Sequence, residues 1–449
     1  MKKSGHRLIA LGLTLVFFVL LFTGCVGQSE SALMLSGDAK SFVFTTSLFN
    51  TRFDLAYYFE HHIEARAEEF DLLIIGHDGF AARIAGDELD GVMLIHTRNG
   101  WDLRSGYHPP SVNVDNIASI VVVSTGDDPH VVRFIDTDEQ VRELTAGQLR
   151  LLDHRRIFNE EGTSQRNNRS VTVYTTSYRV PLADVLPGDS FVTMARSGQT
   201  EFFRGAAYLQ SGQNQMDLAL PNGEMLRDIV GVMADPPGFL VTELFHDAMR
   251  FLQQGERVLA IKLDGLGWNQ LDYAPFIQSL EPRRALTVYP PVTPSALASM
   301  LTGETPDTHG IQGRGTRELA APDIFEQIEA LELTAAHIGA RNSFIQTSLM
   351  PQLSLSDADG FMLAMQHLDY DFVFVHFKEI DVAGHAYGPH AEQTQQTIAE
   401  IDGYVRTLVE QFDGRVIITS DHGMHETADG GGNHYRFMPE DMFVPYVVH

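Results

Sequence analysis

Val258-Leu259-Ala260-Ile261-Lys262-Leu263-Asp264-Gly265-Leu266-Gly267 is a run of strand-type residues that ends abruptly in an acid, a glycine and a turn. A short apolar run bounded by turn residues reads as a buried strand. The pattern returns twice. Phe372-Val373-Phe374-Val375-His376-Phe377 leads into Lys378-Glu379-Ile380-Asp381-Val382-Ala383-Gly384-His385, and Val416-Ile417-Ile418-Thr419 leads into Ser420-Asp421-His422-Gly423-Met424. Helical patterns alternate with these strands, among them Val241 to Gln254 with Gly255 as its stop. Strands alternating with helices predict an α/β domain with a mainly parallel sheet and helices on both faces.

Open α/β sheets place their sites beyond the carboxyl ends of their strands, so acids that follow three strands are expected to converge. A lone Asp in such a place is a helix cap or a turn residue. Three such ends, joined by His385, His422 and the later Gly430-Gly431-Gly432-Asn433-His434, form a set that caps do not explain. With one Cys in 449 residues, neither an intramolecular disulfide framework nor a cysteine-rich zinc module is available. A carboxylate and imidazole set of this kind suits two zinc-like ions. Thr293-Pro294-Ser295 opens a further helical stretch running to Gly303. Thr293 is a good N-cap there, and the same position places a hydroxyl where N–H groups and the helix dipole favour a phosphate.

Taken in order, Asp264-Gly265, Thr293 to Leu301-Thr302-Gly303, Thr308-His309-Gly310-Ile311, Asp381-x-x-x-His385 with Gly388-Pro389, Asp421-His422-Gly423-Met424 and His434 resemble the alkaline phosphatase superfamily, most closely its type I phosphodiesterase/nucleotide pyrophosphatase branch. The resemblance covers roughly residues 255–449. It implies two divalent ions, zinc first and manganese as the alternative. Asp264, Thr293, Asp421 and His422 would surround one, and Asp381, His385 and His434 the other. It also implies that Thr293 attacks phosphorus to give a phosphothreonine, which water then hydrolyses. Nucleotide-hydrolysing relatives typically read Thr-Phe-Pro-Asn where this chain has Thr293-Pro294-Ser295-Ala296, so Ser295 or helix N–H groups are the expected holders of the phosphoryl oxygens. His309, His376, His390 and His425 are read as structural or surface residues.

The N-terminal half reads differently. Lys2, Lys3 and Arg7 precede an apolar run from Leu8 to Phe22, and Leu21-Phe22-Thr23-Gly24-Cys25 resembles a bacterial lipoprotein signal with Cys25 as the lipidated residue. Residues 1–24 are therefore expected to be a signal peptide, 25–40 a tether, 41–235 a β-rich accessory domain and 239–449 the catalytic domain. The Ala234-Asp235-Pro236-Pro237-Gly238 break marks the boundary. Within 41–235, Phe42 to Phe44, Asp71 to Ile75, Gly91 to Ile95, Ile117 to Val123 and Val171 to Tyr174 read as strands, and His154 to Ser170 as an exposed connection. Two echoes raise the question of duplication: Phe44-Thr45-Thr46-Ser47 with Tyr174-Thr175-Thr176-Ser177, and Asn116 to Val123 with Asp228 to Met233.

Lys and Arg total 32 against 59 Asp and Glu, a formal charge of −27. So acidic a chain lacks the dense basic surface that a nucleic-acid polymer requires. The expectation is an exported, lipid-anchored phosphoric ester hydrolase on the outer side of the bacterial cytoplasmic membrane or in the periplasm, acting on a small phosphodiester or pyrophosphate. The alternatives are a phosphoethanolamine or phosphoglycerol transferase of the envelope, and a catalytically degenerate envelope-binding lipoprotein.

Overall fold

The computed structural model describes residues 32–39, 42–46, 51–63, 69–125, 130–166, 169–212, 214–340 and 345–449. The expected signal peptide and Cys25 lie outside the described residues. Among the described residues, no helix is long and apolar enough to cross a membrane. The chain divides into two compact units, residues 1–127 and 128–449.

The first unit begins with β1 (Ala32–Gly37), β2 (Phe42–Thr45), β3 (Arg52–Asp54), β4 (Phe70–Gly76) and β5 (Ala81–Ala85). It continues with β6 (Val92–Thr97), β7 (Gly100–Ser105) and β8 (Ile117–Ser124). Its main sheet has the order β2-β1-β8-β4-β5, and a smaller one has the order β3-β6-β7. The tether expectation is corrected here. Leu33 and Leu35 are buried on β1, which pairs with both β2 and β8, so 32–37 is a structural strand.

The second unit opens with β9 (Val132–Ile135), β10 (Val141–Leu144), β11 (Arg155–Arg166), β12 (Arg169–Pro181), β13 (Ser190–Ala195) and β14 (Thr200–Arg204). Then come β15 (Tyr208–Ser211), β16 (Met216–Ala219), β17 (Met225–Leu226) and β18 (Ile229–Ala234). In the expected connection at 154–170, Arg155–Arg166 is instead strand β11, held in the strand conformation by cross-strand pairing with β12. Sheet β10-β9-β18-β13-β14 repeats the order of the first unit's main sheet, counted as second, first, fifth, third and fourth strand. The directions agree as well, since the first and fifth strands are parallel in both and the remaining pairs antiparallel.

Local details coincide too. The register shifts at Ile75/Gly76 against β8 and at Met194/Ala195 against β18. Asn116 and Asp228, just before the fifth strands, have φ of 47° and 50°, a region that Asn and Asp tolerate. Their N–H groups donate to Asp102 at 2.9 Å and to Asp217 at 3.0 Å. Arg104 and Arg227 pair with those same carboxylates. The region is a duplication, with Asn116–Val123 and Asp228–Met233 as true equivalents. The Phe44 and Tyr174 stretches sit on non-equivalent strands, β2 and β12.

The rest of the second unit is the expected α/β domain. Its strands are β19 (Val258–Leu263), β20 (Arg283–Leu286), β21 (Ala335–Ala340), β22 (Gln352–Ser354), β23 (Phe372–Phe377) and β24 (Arg415–Ser420). After a two-stranded ribbon of β25 (His425–Glu426) and β26 (Gly432–Asn433), β27 (Phe443–Val448) ends the series. The large sheet has the order β20-β27-β24-β19-β23-β21-β22, with β27 antiparallel to both of its neighbours and the other pairs parallel. Val258 and Ala260 face one apolar layer, with the Glu243–Gln253, Thr293–Thr302 and Ile324–Ala330 helices. Leu259, Ile261 and Leu263 face the other, with the Asp357–Met365 and Glu392–Gln411 helices.

The expected accessory domain 41–235 is not one body. Ile135, Val192, Met194, Val230 and Met233 of the second copy belong to the same apolar core as Leu240, Val288 and Met300 of the α/β domain. Phe437, fully buried, lies so close to β18 that a Cβ on Gly231 would sit 2.0 Å from its ring. A chain starting at Asp128 is therefore expected to unfold cooperatively near the temperature of the full chain's second unit, whereas one starting at Pro236 aggregates. Phe437→Ala should cost about 3–5 kcal/mol of unfolding free energy, measured by denaturant titration.

Candidate active site

The fold delivers the three expected acids to one end of the large sheet. Asp264 follows β19 and Asp421 follows β24, its paired neighbour, and both are fully buried. Asp381 and His385 lie four apart on the Glu379–Tyr387 helix that follows β23, which puts them on one helix face. Gly265 allows the close approach between these segments. Its φ is +82°, and a Cβ there would lie 3.0 Å from the Asp381 Cα. His434 follows the β25–β26 ribbon.

Thr293 is the first residue of its helix and not its cap, a role taken by Val292. Its hydroxyl is free of capping and lies 3.3 Å from Asp264 Oδ1 and 3.4 Å from His422 Nε2. Ser295 does not take the expected phosphoryl role, because its buried hydroxyl donates to the Ile311 carbonyl at 3.0 Å. His309 is held on Ser299 and His425 on Asp441, structural roles as expected.

Among the described residues, two groups present three donor atoms within 4.8 Å of one another: Asp264, Asp421 and His422, and Asp381, His422 and His434. His422 is thus shared, and its ring stacks on that of His434 at 3.7 Å. His385 lies outside the compact triplets, yet its Nε2 reaches Asp381 Oδ1 at 3.2 Å, while His434 Nε2 is 3.5 Å from the same oxygen. The expected seven residues are therefore brought together, with His422 between the two sets and not in one of them.

The donor chemistry fits divalent metal. Asp381 Oδ1 is buried and accepts no hydrogen bond, and buried Asp421 Oδ2 has no hydrogen bond either, although the Lys262 ammonium lies 2.8 Å away. The Nδ1 atoms of His385, His422 and His434 lie on the carbonyls of Gly432, Gly423 and Pro291 at 2.8, 3.0 and 2.8 Å. A carbonyl only accepts, so each Nδ1 carries a proton and each Nε2 is the nitrogen turned toward the carboxylates, a donor when the ring is charged and a lone pair available to metal when it is neutral. Burial alone would raise the Asp381 pKa, but the His385 and His434 imidazoles beside it hold it below the usual carboxylate range. In return the Asp381 carboxylate raises His385 above 6.5, and in His434 it outweighs the lowering caused by burial.

Two further side chains adjoin the site: Lys262, which the sequence reading passed over, and His376, which it took as a structural or surface residue. Lys262 and His376 are cross-strand partners on β19 and β23 and are both buried. Lys262 Nζ lies 3.0 Å from Asp264 Oδ2 and 2.8 Å from Asp421 Oδ2, and His376 Nε2 lies 2.6 Å from Asp264 Oδ2. Burial opposes the charge on Asp264, but Lys262 and His376 hold its pKa well below the ordinary value. The signal for Lys262 was a charged residue inside an otherwise apolar strand. Thr293, Asp381, His385 and His434 line a cavity of about 300 Å³ that also takes in Arg314, Lys378 and Tyr435.

A strand-end group of carboxylates and imidazoles beside a helix-terminal hydroxyl defines the class, an α/β domain with a donor set that could hold divalent metal. Residues 258–330 and 340–442 match the model of the family described as Type I phosphodiesterase / nucleotide pyrophosphatase. Human GPI ethanolamine phosphate transferase 3, catalytic subunit, is 31% identical over 67 residues, 14% of this chain and 6% of the relative. The chain thus aligns with only a small part of the length of the curated relatives it matches. Among solved structures, human ectonucleotide pyrophosphatase / phosphodiesterase 5 is 14% identical over 43% of this chain and 88% of that one, with a TM-score of 0.36. The Sinorhizobium meliloti phosphonoacetate hydrolase, in complex with phosphonoformate, is 18% identical over 40% of this chain and 60% of that one, with a TM-score of 0.32.

Because His385 and His434 hold protons more tightly in the metal-free protein, they stabilise its fold below about pH 6.5, and this contribution is lost as pH rises through their raised values. A metal ion held there would have to displace those protons. Zinc uptake by the chelator-stripped protein is expected to release protons and to strengthen from about pH 6 to about pH 8, as read by calorimetry in buffers of different ionisation enthalpy. Asp381→Ala should lose about one metal equivalent per chain by elemental analysis; unchanged content refutes the assignment.

Proposed function

We propose that the chain is an exported, lipid-anchored, metal-dependent phosphoric ester hydrolase that acts on a small phosphodiester or pyrophosphate through a phosphothreonine at Thr293. The observation that carries this reading is the placement of the Thr293 hydroxyl on Asp264 and His422, at the N-terminus of a helix and in one cavity with Asp381, His385 and His434. The family match over the same residues supports it.

Asp264, Asp421 and His422, with Thr293, would hold one divalent ion, and Asp381, His385 and His434 the other. When bound, such ions supply Lewis-acid stabilisation of the entering and leaving oxygens and lower the pKa of a coordinated hydroxyl or water. Asp264 Oδ1 accepts from the Thr293 hydroxyl and orients its oxygen. The positive end of the Thr293–Thr302 helix favours the phosphoryl anion. Arg314 and Lys378 add positive charge to the walls of a cavity in an otherwise acidic protein. The Thr293 Oγ–P bond forms as the ester P–O bond breaks and the alcohol departs. Water then cleaves the phosphothreonine and restores the hydroxyl.

The transferase reading has one specific support, that the curated relatives sharing at least 30% identity are ethanolamine phosphate transferases. In that reaction an envelope hydroxyl replaces water in the second step. The Asp, His and Thr set brought together at the sheet end argues against a degenerate binding protein.

The deciding assay uses chromogenic phosphodiester and phosphomonoester substrates with zinc or manganese. Diester preference is expected, falling by at least about a thousandfold in Thr293→Ala while bound metal is retained. A wild-type rate in that variant rejects the nucleophile. Phosphothreonine that accumulates and is discharged by an added alcohol, and not by water, moves the assignment to transferase. Cys25→Ser is expected to shift the protein from the membrane to the soluble fraction of a bacterial expression host.

A further inference from the structure

The pair formed by Lys262 and His376 has no part in the reaction above. Both side chains are buried on the strand face that carries Asp264, and Lys262 reaches two of the three carboxylates of the centre. An ammonium with no access to water must remain paired, because leaving it unpaired is far costlier than its pairing is beneficial. Lys262 has those carboxylates within ion-pairing reach, and His376 Nε2 lies 2.7 Å from its Nζ without offering it a negative charge. The Oδ2 atoms of Asp264 and Asp421 are therefore committed to a resident cation.

The consequence for the two donor groups is unequal. In the first, Asp264 keeps Oδ1 for the site, while Asp421 Oδ1 already accepts from the N–H groups of Gly265 and His422. Its Oδ2 is within 2.8 Å of Lys262 without hydrogen-bond alignment. An ion entering there meets a fixed positive charge on its carboxylates, and the nitrogen donor of that group is an imidazole, His422, shared with the other. In the second, Asp381 Oδ1 is uncommitted and faces Nε2 atoms of His385 and His434, whose Nδ1 atoms are held by backbone carbonyls. The ion-pair partners described for Asp381 are the imidazoles of His385 and His434, which can lose their protons, whereas Asp264 and Asp421 both lie against the Lys262 ammonium.

We infer that Lys262 is a built-in partial substitute for metal charge, which makes the two sites unequal: the Asp381 group holds its ion tightly, and the Asp264/Asp421 group holds its ion weakly and exchangeably. This rests on the metal-dependent reading of the site. Lys262 is thus a positioning residue that keeps Asp264 and Asp421 folded together when the second ion is away, and it lets the Thr293 side of the centre fill and empty while the Asp381 side stays loaded.

The test is a zinc titration of the chelator-stripped full chain by calorimetry, with metal content measured after dialysis. The wild type is expected to bind about one tight equivalent and a second at least about tenfold weaker. Lys262→Met is expected to tighten the second site by about tenfold or more and to make thermal stability strongly zinc-dependent, since two carboxylates are left facing each other without zinc. Two equally tight equivalents in the wild type overturn the inference and leave the metal reading intact, and this arm needs no variant. Failure of the wild type to bind zinc at all overturns the metal reading and the inference with it. If Lys262→Met folds with zinc present but shows the wild-type pair of affinities, Lys262 is not the source of the asymmetry.

Discussion

Three carboxylates, Asp264, Asp381 and Asp421, are buried within one donor cluster at the end of a sheet, in a chain whose net charge is already −27. Like charges about 4 Å apart repel by about 4 kcal/mol even at the effective dielectric of a partly polarisable site. The surrounding structure is organised by this constraint. A buried ammonium lies between two of the carboxylates, imidazoles face the third, and the nitrogens of those imidazoles that do not face the cluster are fixed on main-chain carbonyls. A cluster so arranged is poised for cations, and the Thr293 hydroxyl stands beside it at a helix N-terminus, within reach of Asp264 and His422.

The α/β fold and most of its centre were legible in the sequence because they rest on short-range rules. A buried strand is a continuous apolar run, and its end is marked by the Asp that follows it. His385 follows from a four-residue helical spacing. What the sequence could not show is which atoms of those residues are already taken. Ser295 looks as available as Thr293 until its hydroxyl is found on the Ile311 carbonyl. His422 looks like a ligand of one ion until stacking on His434 places it between both groups. Lys262 is one charged residue in an apolar strand, and nothing local reveals that β23 and β24 flank β19 and close the route to water.

The N-terminal half was less legible because its pairings are long-range. In each copy the first strand's parallel partner is the fifth, about 80 to 100 residues away in sequence, and no turn signal announces such a pairing. The β11–β12 hairpin shows the opposite failure. Its composition is that of a loop, since much of it faces water and the ladder requires only backbone groups.

Duplication also explains why one half of this region belongs with the α/β domain. Registering β8 on β18 through their bulges makes Ala118, Ser119 and Val121 the counterparts of Val230, Gly231 and Met233, and Leu73 and Ile75 the counterparts of Val192 and Met194. In the second copy this face is buried in the core it shares with the α/β domain. In the first copy Val121 is also buried, but Ala118 is exposed, and Leu73, Ile75 and Ser119 are only partly buried. The exchanges run in the direction that docking demands. Val230 is larger than Ala118 where apolar area is to be buried, and Gly231 replaces Ser119 where Phe437 must reach the backbone. The same sheet therefore serves two ends: in one copy as a unit with its own core, and in the other as part of the core that also takes in Ala296, Leu297 and Met300 of the helix that begins at Thr293. The site's stability thus depends on β-strands that contribute no residue to its chemistry.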